Sequence, residues 1–390
     1  MNVVLILLLA VTSSLSHEAK TFTSVSNQFT AATYKEIAKD VEGNFLVSPF
    51  SAAIILALAQ TGARGATAQE LRTGLRFPEG QDEIESSIEA VTSSVGNNRE
   101  YALQSANKMY LQENYQIKDE FRKVATDAFY ADIENIDFSR NAEAAKVMNR
   151  WVEEHTEKKI RDLITSNDVG EDTKLILINA LYFQGNWSKQ FKRVYTQQDA
   201  FYQNGENVVQ VATMHDHHGY YKYCENGELN AKFLEIPFEG GDVSMVFVLP
   251  NEKKGLASLE NQIEKVLLPQ DFVKETVNVS LPKFKIESKL DFKEILKNLG
   301  VVKAFNREAD FSGISDEKLV ISKILQKAFI NVTEEGVEAA AATYLGEIYF
   351  VPFSAHILLS PPKFFIADHP FLYYIKFRDV IIFAGRLSSP

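Results

Sequence analysis

The sequence predicts an α+β protein, helical in its first part and sheet-forming in its second, folded as one large domain. Three observations carry that expectation. Apolar residues such as Ile54, Leu58 and Leu71 fall at helical spacing within residues 27–75. From residue 175 the pattern changes to short runs of β-branched and aromatic residues bounded by Gly, Pro and Asn. No repeat, low-complexity tract or linker of Pro, Gly and Ser divides the 390 residues, although length alone would allow two or three domains.

Taken in chain order, the apolar run Val3–Val11 precedes Ser14 and Ser16, which are spaced for cleavage before His17. Nine apolar residues are too few to span a bilayer, so residues 1–16 read as a secretory signal, and residues 17–390 as the mature extracellular domain. Within the first helical stretch, SPFS at 48–51 marks a cap and TGARGAT at 61–67 a turn. Residues 143–165 form an amphipathic pattern through Val147, Trp151, Thr156, Ile160 and Leu163, which predicts one helix. Strands are predicted at LILINALYF, KFLEIPF, VSMVFVLP, VNVSLPKFKI, FLYYIKF and VIIFAG.

Composition narrows the function. Cys224 is the one cysteine, so no internal disulfide forms and stability rests on a large packed core. A net charge of -11 argues against nucleic acid and anionic membrane as partners. No helical face gathers Lys and Arg, so no site for a sulfated polysaccharide is expected. Phosphate-binding, nucleophile-elbow and paired-histidine motifs are missing, which leaves an enzyme, and any cofactor, without support. Cys224 reads as an inert thiol, and His215, His217 and His218 in MHDHHGYY as a solvated polar turn that could bind zinc only adventitiously. Sequons at Asn186, Asn278 and Asn331 lie in or beside predicted strands, with Asn278 the best candidate for a glycan.

GVEAAAATYL at 336–345 reads, by composition alone, as an alanine-rich surface helix. Its context changes that reading. NFLVSPFSAAIILALAQTGARGATAQEL, LINALYFQGNW, EIPFEGGDVSMVFVLP, LPKFKIESKLDFKEILKNLG, ISKILQKAFINVTEEGVEAAAAT, FIADHPFLYYIKF and IIFAGRLSSP follow one another in order across the chain. Together they resemble the serpins, a family of protease inhibitors. The resemblance implies the serpin fold, with three β-sheets, eight or nine helices and an exposed reactive-centre loop at about 336–362. It implies an inhibitor and not an enzyme: a target protease attacks the loop, forms a covalent acyl-enzyme, and is carried off as the loop inserts into the largest sheet. A monomer is also implied.

By the same resemblance Glu334, Gly336, Val337, Ala339, Ala340, Ala341, Ala342 and Thr343 form the hinge. Strand parity then turns Val337, Ala339, Ala341 and Thr343 inward and Glu338 outward, and brings Glu347 inward late in the strand. Ser48, Ser51, Asn179 and Gln326 match the polar cluster beneath the sheet's centre. Gln326 stands where many relatives carry histidine, so opening should depend less on pH. Trp187, Lys283 and Glu334 match the sheet's top, with an ion pair expected between the last two.

Counting from Gly336 puts the reactive bond at Phe350–Val351, with Tyr349 before it. Counting back from Asp368 opens bonds near Phe353 to His356. An aromatic residue there suits a chymotrypsin-like or elastase-like pocket. With no Lys or Arg between Gly336 and Pro362, a trypsin-like pocket has no cation to bind. A papain-like cysteine protease reading Tyr349, or a non-inhibitory carrier, are the alternatives.

Overall fold

The computed structural model describes residues 23–78, 88, 100–203, 207–337 and 361–390. The leader 1–16, the hinge positions Ala339 to Thr343, and Tyr349, Phe350, Val351 and Phe353 lie outside the described residues.

The helices among the described residues are α1 (residues 23–40), α2 (Pro49–Gly62), α3 (Gly65–Gly74), α4 (Asp119–Phe129), α5 (Asn141–His155), α6 (Leu256–Glu260), α7 (Ile263–Val266) and α8 (Phe292–Asn298). The strands are β1 (Phe45–Val47), β2 (Tyr101–Gln112), β3 (Asp132–Ile136), β4 (Leu175–Asn186), β5 (Gln197–Gln203), β6 (Asn207–Asn226), β7 (Ala231–Pro237) and β8 (Val243–Pro250). They continue with β9 (Val273–Pro282), β10 (Phe284–Asp291), β11 (Ile321–Val332), β12 (Gly336–Val337), β13 (Lys363–Ile366), β14 (Phe371–Phe377) and β15 (Val380–Leu387).

Two hydrogen-bonded sheets result. One has the order β10-β11-β12-β4-β2-β3. The other runs β1-β15-β14-β8-β7-β6-β9-β13, with β5 on β6. The 20-residue β6 pairs in turn with β5, β9 and β7, so what can be counted as two sheets is here one continuous ladder. This is consistent with the expected α+β serpin fold.

Helix α2 sits between the sheets, packed on β2, β4 and β15. Its sequence, PFSAAIILALAQTG, is apolar nearly all round, as a helix buried on every side requires. Ser48 caps it, accepting from Ser51 N at 3.2 Å, and Pro49 fits the first turn because that position needs no donor. A second, smaller core lies on the outer face of the six-stranded sheet. There Met148 and Val152 of α5, with Ile160, Leu163 and Ile164, cover Ile176, Ile178, Tyr182, Leu325 and Phe329.

Three element expectations need correcting. The stretch 27–75 is not wholly helical: β1 interrupts it by pairing with Arg386 to Ala384 of β15. The helix predicted over 143–165 ends at His155, because Glu157, Lys158 and Asp162 have positive φ. Ile160 and Leu163 stay buried, so the apolar spacing there reflects packing and not helix. VNVSLPKFKI divides between β9 and β10 after Pro282, where Lys283 N leaves both ladders to bond Ala212 O at 2.8 Å.

Candidate functional site: the entry to the six-stranded sheet

Strands β4 and β11 run parallel and pair from Leu175 and Ile321 up to Tyr182 and Phe329. Above that level they diverge, and a third strand enters. The chain leaves β11 at Val332, turns through Thr333, Glu334 and Glu335, and comes back antiparallel as β12. Val337 then pairs with Val332 on one side and with Gly185 on the other. Thr333 N and Oγ1 close the turn on Gly336 O at 2.8 and 3.1 Å.

Gly336 is obligatory at this turn. Its φ is +156°, and a Cβ would lie 2.1 Å from Gly185 O. Val337 is fully buried, in agreement with the inward parity read from the sequence.

Trp187, Lys283 and Glu334 meet beside this turn. Trp187 Nε1 donates to Thr333 O (2.9 Å), its backbone N to Glu335 O (2.8 Å), and its indole stacks on Phe238 at 4.5 Å. Lys283 Nζ reaches Glu334 Oε2 at 2.7 Å, so the expected ion pair is present. Thr196 Oγ1 donates to Glu334 Oε1 at 2.8 Å, and Arg193 pairs with Glu335 at 2.5 Å. Burial would raise the Glu334 carboxyl, but the hydrogen bonds from Lys283, Thr196 and the backbone outweigh it and hold the group below the ordinary carboxylate range. Thr196 and Thr333 were not foreseen, and no sequence signal distinguishes them from other surface threonines.

Lower on the same seam the four predicted polar residues converge. Gln326 and Asn179 stand opposite each other in the β11–β4 register. Gln326 Nε2 donates to Asn179 Oδ1 (2.5 Å) and Ser48 O (2.8 Å), while its Oε1 accepts from Ser48 N (2.8 Å). Asn179 Nδ2 donates to Ser51 Oγ and to Asn107 Oδ1, both at 2.6 Å. Ser51 Oγ lies 2.9 Å from Ser105 Oγ, and Ser48 Oγ donates to Ile382 O at 2.5 Å. Asn107 and Ser105 were missed because strand β2, YALQSANKMYLQ, lacks an alternating pattern that would have announced it.

Other singled-out residues fall elsewhere. His215 is not in a solvated turn: it is buried in β6, with Nδ1 3.0 Å from Ser280 Oγ and Nε2 2.8 Å from Asp199. His217 and His218 are exposed on a bulge between Asp216 and Gly219. Among the described residues no group of three or more His, Cys, Asp and Glu side chains could hold a metal ion. Cys224 is half-buried in β6, where burial and the charge of Asp271 push its thiol up, the condition of an unreactive cysteine. Asn186, Asn278 and Asn331 are half-buried in β4, β9 and β11. No described helix is long and apolar enough to cross a membrane.

The family model "Serpin (serine protease inhibitor)" matches residues 24–390. Antichymotrypsin-2 of Bombyx mori is 35% identical over 366 residues, covering 92% of this chain and 96% of that one. Antitrypsin of the same species is also 35% identical over 366 residues, covering 92% of each. The crystal structure of Serpin48, described as a highly specific serpin of the insect Tenebrio molitor, superposes with a TM-score of 0.89 at 48% identity, covering 95% of this chain and 98% of the other. Fold, entry turn and ordered sequence similarity agree: the chain belongs to the serpin family, most of whose members inhibit proteases.

Proposed function

We propose that the protein is a secreted suicide-substrate inhibitor of proteases, released by removal of residues 1–16 and acting as a monomer. One observation carries the reading: Val337 is seated between β4 and β11, antiparallel to both, at the top of a seam those strands otherwise close themselves. Continuing that register sets Ala339 opposite Ile330 and Phe183, Ala341 opposite Ala328 and Leu181, and Thr343 opposite Gln326 and Asn179. Ala339 thus meets two bulky partners, Ala341 one, and the one hydroxyl meets the polar cluster. Glu347 falls opposite Ser322 and Leu175, at the lower end of the seam.

A protease that cleaves Phe350–Val351 frees the hinge to continue down this seam while still esterified to it. Small residues favour inhibition over a carrier role, since a charged or bulky hinge would not enter the sheet. The two Bombyx relatives are named for chymotrypsin and for trypsin at equal identity, so the names do not choose a target. The loop does: it contains aromatic residues and no Lys or Arg, which favours a chymotrypsin-like or elastase-like enzyme over a trypsin-like one. Asn278 is the proposed glycan carrier.

The test is incubation with chymotrypsin, elastase, trypsin and papain, followed by denaturing gels and the mass of the released C-terminal fragment. The expected result is a denaturant-resistant complex with chymotrypsin or elastase and a fragment starting at Val351. Val337→Arg should convert complex formation into plain cleavage, because a guanidinium would enter the sheet unpaired. Complete cleavage of the wild type by all four, with no complex, would refute trapping of these classes. A complex with papain alone would move the target to the cysteine proteases.

A further inference from the structure

The seam between β4 and β11 is bridged on its outer face by the chain that leads into β4. Residues 156–174 leave α5, which Asn149 ties to Ile164 through bonds of 2.7 and 2.9 Å, and cross to the far side of the seam. There Asp168 is held by two strands at once. Lys323 of β11 donates to its Oδ1 at 3.1 Å, and Lys289 of β10 to its Oδ2 at 2.9 Å. Thr165 N and Oγ1 add bonds of 2.9 and 2.8 Å to Oδ2. Only 14% of the Asp168 side chain meets solvent, so these contacts are weakly screened. Burial alone would raise its carboxyl, yet the Lys289, Thr165 and Lys323 hydrogen bonds hold it far below the ordinary range. Nearby, Lys327 of β11 donates to Arg161 O at 2.5 Å.

Seven residues after Asp168 the same chain becomes β4, and there is little slack between. Gly170 to Thr173 is a closed turn, with bonds of 2.9 and 3.0 Å, and Lys174 N donates to Ser322 Oγ of β11 at 3.0 Å. Admitting one strand between β4 and β11 separates them by about a further 4.8 Å. Contacts near 3 Å cannot survive that displacement while the turn stays closed.

We infer that Asp168 is a positioning residue for strand insertion: through Lys289 and Lys323 it fastens the leader of β4 to the opposite side of the seam and sets how readily the sheet opens. The inference rests on the insertion reading above, and its failure can be told from the failure of that reading.

The experiment follows uptake by the full chain of a synthetic peptide with the sequence of residues 336–349, on native gels, without any protease. Asp168→Asn should take up the peptide about ten-fold faster than wild type, the scale expected for losing charge-assisted bonds that hold only the closed form. Asp168→Glu should restore part of the delay. Lys297→Gln, which breaks an exposed pair with Glu294 on α8, should leave the rate unchanged. The double variant Lys289→Gln/Lys323→Gln removes the same contacts from the other side, and carries the test if Asp168→Asn does not fold. A purely structural role would lower the urea midpoint without changing uptake. Equal uptake rates in wild type, Asp168→Asn and the double variant would overturn the tie and leave insertion standing. No uptake by any of the proteins would overturn the insertion reading and this inference with it.

Discussion

Gly336, Val337 and Glu334 occupy the tightest turn of the site, and each answers a different demand. Gly336 lets the backbone pass within contact of Gly185, Val337 fills the gap between two strands, and Glu334 neutralises Lys283 at the rim. The charge pair gives a pH prediction. The Glu334 carboxyl is held below its unfolded value of about 4.3, so the unfolded chain takes up its proton first as pH falls. Its contribution is therefore complete above that value and is lost as pH drops toward the lower, folded one. Glu334→Gln should cost about 1–2 kcal/mol at pH 7, the lower part of the range for a broken charged pair, because Lys283 keeps 36% of its side chain in water. Urea midpoints should show the gap from wild type narrowing below about pH 4. A gap of the same size at pH 7 and pH 3.5 would mean that the pair contributes nothing.

At the scale of elements, the β4–β11 seam joins parallel strands through a polar cluster in which Ser48, Ser51, Ser105, Asn107, Asn179 and Gln326 carry no titrating group. Gln326→His should introduce a pH dependence the wild type lacks. A buried imidazolium there has no carboxylate partner, so the folded chain resists protonation while the unfolded one accepts it near 6.5. The melting temperature of the variant should fall relative to wild type as pH drops from 8 to 5. Parallel profiles would show that water reaches the cluster. Legibility divides along similar lines. Strands β4, β8 and β14 could be read directly because both their faces are buried, which makes the sequence continuously apolar. Strand β6 alternates with exposed polar residues and β13 is a four-residue edge, so neither shows in a composition window. The polar cluster gathers residues from four distant segments; Ser48, Ser51, Asn179 and Gln326 were visible only through family resemblance, and Ser105 and Asn107 were not visible. The tie through Asp168 was not visible at all, because the two lysines that make it lie more than 100 residues away.

For the whole molecule, the proposed insertion requires that the uncleaved chain is not the most stable state its sequence can reach. Inserting residues 338–347 would replace the eight parallel register pairs of β4 and β11 with two antiparallel ladders. A strand bonded on both sides satisfies nearly all its own donors and acceptors, so the exchange gains about a dozen bonds. At ~1 kcal/mol each this is on the order of 10 kcal/mol, before any gain from burying alanine methyls. That equals the total stability of an ordinary domain, so the uncleaved form must persist through a barrier. Loop cleavage should therefore raise the melting temperature by roughly 10 °C or more, with the two fragments still associated. The measurement is a heat-unfolding scan before and after limited cleavage by a protease that the chain does not trap. An unchanged melting temperature would mean that the hinge stops at Val337, and would move the protein to the carrier class whatever its loop sequence.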